Sequence, residues 1–100
     1  MTVSKTKNGN ELTIAVSGRL DTNTSRQLEE ELITSLTGIE SLIFDFAELA
    51  YISSAGLRVL VGAQKVMNQQ GSMVIRNTNQ SVMEVFSITG LTDSFHIEEA

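Results

Sequence analysis

Two adjacent hydroxyls, Ser53 and Ser54, follow an apolar run and precede Gly56 at the start of an amphipathic segment. A serine at the mouth of a helix sits among backbone N–H groups that lack partners, where the dipole favours negative charge. That place suits a phosphate, bound or covalently attached. It equally suits an ordinary N-cap, for which serine is among the preferred residues. The residues alone leave both readings open. Asp21 and Asp45 each close an apolar stretch, and two carboxylates can do general acid–base work. Nothing around them resembles a metal motif or a cofactor signature. Phosphate loops rich in glycine are absent, Ser54 lacks nucleophile-elbow spacing, and His96 is the only histidine. One histidine makes neither a metal site nor a triad. Binding, not catalysis, is the expectation, with no metal and no cofactor.

The elements that hold these residues follow from pattern. Asn8-Gly9 signals a tight hairpin turn, with Val3 anchoring the strand before it. Leu12, Ile14 and Val16 alternate with smaller or polar residues, as in a half-buried strand. Thr24-x-x-Gln27 reads as a capping box, ahead of a helical stripe of Leu28, Leu32, Ile33 and Leu36 that Gly38 ends. Leu42–Phe46 is nearly continuous apolar sequence, as in a central strand. The spacing then predicts a helix over 53–70 stopped by Gly71, and a strand through Met73, Val74 and Ile75. A third helix follows, capped by Thr78 or Asn79, carrying Val82, Val85 and Phe86 and closed by Gly90. Phe95 and Ile97 make a short last strand. This is an α/β order: an N-terminal hairpin, a mixed sheet, and helices packed largely on one side. Crossovers between parallel strands should be right-handed.

Winding 53–70 at about 100° per residue puts Leu57, Leu60, Ala63 and Met67 inward. Arg58, Val61 and Lys65 fall on the opposite side with Gly62. A small apolar residue between two cations, near Ser54, is a candidate docking strip.

One hundred residues without repeats or low-complexity segments imply a single domain, 1–100. The net charge of −5 argues against a nucleic-acid binder, which normally shows a basic stripe. Zero cysteines exclude disulfides and thiolate metal sites. No apolar run approaches membrane-spanning length, and no basic start leads into a hydrophobic stretch. A cytoplasmic protein without membrane insertion is expected.

Asp45-Phe46 followed by Tyr51-Ile52-Ser53-Ser54-Ala55-Gly56-Leu57 resembles the signature of the STAS domain, in its branch of anti-sigma factor antagonists. Gly18-Arg19-Leu20-Asp21 resembles a second family element, Gly-x-Leu-Asp after the second strand. The resemblance spans nearly the whole chain. It implies a STAS fold and a transcription regulator that binds an anti-sigma factor with serine kinase activity. That kinase would phosphorylate Ser54, and a serine phosphatase would reset it. Asp21, Asp45, Ala55 and Gly56 would surround the phosphosite, the two aspartates as an acidic rim or as local caps. The helix bearing Arg58, Val61 and Lys65 would face the partner. Ser53 departs from the family, where most members carry aspartate; it adds no charge and offers a second acceptor hydroxyl. That departure keeps an alternative open: a non-switching STAS subunit of a lipid-transport complex or a signalling scaffold. A further helix that many relatives carry after the last strand is not expected, since the sequence ends at Ala100.

Overall fold

Alternating burial drives the second strand: Leu12, Ile14 and Val16 lie almost wholly inside, and their neighbours are half-exposed. The computed structural model describes residues 1–99. It orders them as β1 (Thr2–Asn8), β2 (Glu11–Leu20), α1 (Thr22–Ser35), β3 (Ser41–Asp45), β4 (Leu49–Ile52), α2 (Ser54–Gln70), β5 (Ser72–Thr78), α3 (Gln80–Ile88) and β6 (His96–Glu99). The sheet runs β1-β2-β3-β5-β6, with β4 added alongside β2. β1 is antiparallel to β2, and every other pair is parallel. Parallel neighbours need crossovers, and the helices supply them.

One core joins Leu12, Ile14, Leu42, Phe44, Met73 and Ile75 of the sheet to all three helices. Leu28 and Leu32 of α1, Leu60 and Met67 of α2, and Val82 and Phe86 of α3 fill it. Ile43 and Val74 alternate away from that cluster, so the helices cover one sheet face, as the element order implied. Phe95 enters the core just ahead of β6 and meets Phe86 edge-on at 5.6 Å. Gly71 ends α2 where a Cβ would overlap the Glu40 carbonyl, so a close approach demands glycine there.

Four local expectations move. Asn8 pairs with Glu11, so the central turn residues are Gly9 and Asn10, one position later than expected. Gly9 carries the positive φ of +65°, as the first central residue of a II′ turn does. The capping box is Asp21 with Thr24, not Thr24 with Gln27, and α1 begins a turn earlier. Ile33 leaves the buried stripe and is 72% exposed. β4 was not anticipated at all. Its Leu49 and Ile52 are buried while Ala50 and Tyr51 are exposed, because the pairing slips at a bulge between Gly18 and Arg19.

Candidate functional site

β2 and β4 run parallel and end together. Leu20 pairs with Ile52, and the Ser53 N–H donates to the Leu20 carbonyl at 2.9 Å. The next residues, Asp21 and Ser53, therefore leave the sheet with backbones about 5 Å apart, one strand spacing. Each is the N-cap of a helix, α1 and α2 respectively. Two helix N-termini thus open side by side at this edge.

The two serines differ in what they do there. Ser53 Oγ accepts the Gly56 N–H at 3.4 Å, and Ser53 is half-buried. Ser54 is the first residue of α2, is exposed, and takes no part in the cap. Ala55 is half-buried behind it. Gly56 is required by proximity: a Cβ there would stand 2.9 Å from Ile52 Cγ1 and 2.9 Å from Leu20 Cγ. The absence of a side chain lets the first turn of α2 sit against the ends of β2 and β4.

Asp21 Oδ1 accepts the N–H groups of Asn23 and Thr24, both at 3.1 Å, and the Asp21 N–H donates to Thr24 Oγ1 at 2.9 Å. These bonds hold its carboxyl below the usual carboxylate range. The Thr24 N–H contributes most, then the Thr24 hydroxyl; partial desolvation opposes them, and the Asn23 N–H and the Arg19 charge add smaller effects. Arg19 itself lies over the Tyr51 ring, 4.3 Å from its centroid, as its cross-strand neighbour. Sequence reasoning missed this exposed pair. Only the register of β4 on β2 could have shown it, and β4 was unforeseen.

Asp45 does not reach this edge. It pairs with Ala15, five residues before Leu20 on β2, which places it about 15 Å short of the Ser53 end. Its Oδ1 accepts the Ala47 N–H and the Asn77 Nδ2–H, each at 3.0 Å. It closes the β3–β4 turn and steadies Asn77, whose φ is +63°. An acidic rim of Asp21 and Asp45 together is therefore not formed; β4 intervenes.

On α2, Ser54, Arg58, Val61 and Lys65 fall within about 60° of one another around the helix. Arg58 and Lys65 are exposed, and neither is in a salt bridge among the described residues. Val61 is half-buried and packs against the core edge. The helix is a ridge between two grooves. Arg58 opens on the one shared with α1, about 440 Å³, and Val61 and Lys65 on the one toward Leu91 and Phe95, about 290 Å³. Among the described residues no cluster of His, Cys, Asp or Glu could hold a metal. No described helix is long and apolar enough to cross a membrane. The chemistry available is a free hydroxyl at a helix N-terminus beside a cationic ridge.

The family model for the STAS domain matches residues 2–100. The chain is 33% identical over 88 residues to the anti-sigma-B factor antagonist of Staphylococcus epidermidis, covering 86% of this chain and 82% of that protein. It is 29% identical over 92 residues to the anti-sigma-B factor antagonist of Bacillus subtilis, covering 91% and 84%. In fold it is similar to an anti-sigma factor antagonist from Mycobacterium paratuberculosis, with a TM-score of 0.89 at 18% identity over 99% of this chain and 86% of that one.

Proposed function

The chain belongs to the STAS domain family, and on that premise we propose that it is an anti-sigma factor antagonist switched by phosphorylation of Ser54. Unphosphorylated, it binds an anti-sigma factor that is also a serine kinase, through the outer ridge of α2, and frees a sigma factor. The kinase passes the terminal phosphoryl group of ATP to Ser54 Oγ and dissociates, and a serine phosphatase restores the hydroxyl. The protein is a cytoplasmic regulator and not an enzyme. The names of its relatives support the class of function. One observation carries the choice of site: Ser54 is exposed on the Arg58–Lys65 side of α2, while the neighbouring Ser53 hydroxyl is spent on the cap.

The physics makes the switch local. A phosphoserine carries roughly −1.5 to −2 charges near neutral pH. The N-terminus of α2 tolerates that charge, and Arg58 lies one turn along the helix to meet it. Asp21, held ionised in the adjacent cap, opposes it. Within the domain these effects largely offset one another, so the fold need not change. At an interface the dianion must lose water or find a cation. Each ~1.4 kcal/mol left uncompensated lowers affinity tenfold.

A pull-down from native lysate with the unmodified protein, repeated with ATP and magnesium, tests this. A kinase-type anti-sigma factor released by ATP supports the switch. Ser53 in place of the family aspartate favours a second reading, a constitutive STAS subunit of a lipid-transport or scaffold complex. That reading gains if the recovered partner is indifferent to ATP.

A further inference from the structure

The groove between α1 and α2 has an unusual rim. Its floor is Leu32, Leu36, Val59 and Ala63, all nearly inaccessible, and its edges are apolar but open. Ile33 on α1 is 72% exposed and Val66 on α2 is 41% exposed. Between them Gly62 leaves a gap: a Cβ there would meet nothing within 4 Å. A projecting isoleucine thus stands across from an open, side-chain-free stretch of α2.

Charge divides the same face. α2 contains Arg58 and Lys65 and no acidic residue, whereas α1 contains Glu29, Glu30 and Glu31 with a single cation, Arg26. Glu31 is occupied by Lys5 at 2.5 Å, but Glu29 and Arg58 line opposite walls of the groove and have no ionic partner among the described residues. A small anionic ligand would gain at Arg58 and lose at Glu29. A surface carrying the complementary arrangement would gain at both.

We propose that this face is a self-association surface, on which a second copy of the chain seats about a two-fold axis running along the groove. Such an axis lays α1 of each copy on α2 of the other, with the helices still parallel. The levels agree. Counting about 1.5 Å per residue from the paired caps, Glu29 stands near 12 Å and Arg58 near 7.5 Å, within reach of two long side chains. On the same scale Ile33 stands near 18 Å, between Gly62 near 13.5 Å and Val66 near 19.5 Å. Two Glu29–Arg58 pairs and two Ile33 insertions follow by symmetry. The other choice of axis, across the helices, would set α1 against α1 and bring like charges together. A contact held by two exposed ion pairs and two isoleucine side chains is reversible and weakens with salt. It covers Arg58, and the dimer and a partner-bound monomer therefore exclude each other.

Sedimentation velocity of the purified full chain, from micromolar to millimolar concentration and at low and high salt, tests the surface independently of any partner. Wild type dimerises at low salt. Ile33→Glu, Glu29→Arg and Arg58→Glu each weaken association at least about tenfold. The pair Glu29→Arg with Arg58→Glu restores it. All three side chains are exposed, and circular dichroism checks that each variant is folded. A chain monomeric throughout, a dimer indifferent to Ile33→Glu, or a double variant no better than the single ones overturns the proposal.

Discussion

The Ser53 N–H donates to the Leu20 carbonyl at 2.9 Å, and through this bond the end of β2 holds the cap of α2 beside the cap of α1. Asp21 and Ser53 are consumed as caps, and Ser54 is left facing solvent on α2. The site's chemistry follows from that division between neighbours.

Stability should separate the two serines. Ser53→Ala removes the acceptor for the Gly56 N–H and should cost about 0.5–1 kcal/mol, the lower half of the usual range for a cap because the bond is long. Ser54→Ala touches no cap and should stay within about 0.5 kcal/mol of wild type. Urea unfolding measures both.

The same substitution at two glycines of α2 should act in opposite directions. Gly56→Ala drives a methyl to 2.9 Å from Ile52 and Leu20 and should destabilise by about 1–3 kcal/mol. Gly62→Ala meets nothing and restores helix propensity, for a gain of about 0.5–1 kcal/mol. Thermal unfolding of the two variants side by side reads the contrast. Equal losses would mean that α2 does not pack on β2 and β4 as described.

Asp21 links the cap to pH. Its folded-state pKa lies below the ordinary 3.8, so its contribution is fully present above that value. It is lost as pH falls from there through the lower folded value. Asparagine caps as well as aspartate but does not titrate. Asp21→Asn should therefore match wild type in thermal midpoint nearer neutrality and fall less steeply in acid. Parallel curves would exclude the cap as a source of the acid sensitivity.

Much of this was legible in the sequence, and the failures at the site trace to one element, β4. Strict alternation exposed β2, and helical spacing with terminal glycines exposed α1, α2 and α3. The motif around Ser53 and Gly56 lies where a strand end passes into a helix, at the edge shared by the caps of α1 and α2. β4 was invisible because its bulge replaces alternation with two exposed residues between two buried ones. Without β4, Asp45 seemed to share the edge with Ser54, and the Arg19–Tyr51 pair could not be seen. The capping box was shifted because Thr24 fits as a cap by type, whereas Asp21 fits by position at the end of β2. Nothing in the period of α1 separates a core flank from an exposed one, so the pattern alone places Ile33 inward although it is exposed.

Charge at Ser54 should change binding without changing the fold. Ser54→Asp places a carboxylate at the first position of α2, where the dipole stabilises it by about 0.3–1 kcal/mol, and the circular dichroism spectrum should be unchanged. Affinity for the anti-sigma factor recovered from lysate should fall at least tenfold, or about 1.4 kcal/mol, by calorimetry. An unfolded variant would contradict the local picture, and so would unaltered affinity.

The most direct measurement is site-mapped mass spectrometry after incubation with the proposed partner kinase, ATP and magnesium. One phosphate should appear on wild type and on Ser53→Ala, mapped to Ser54, and none on Ser54→Ala. An unmodified wild type, or a phosphate persisting on Ser54→Ala, would contradict the account.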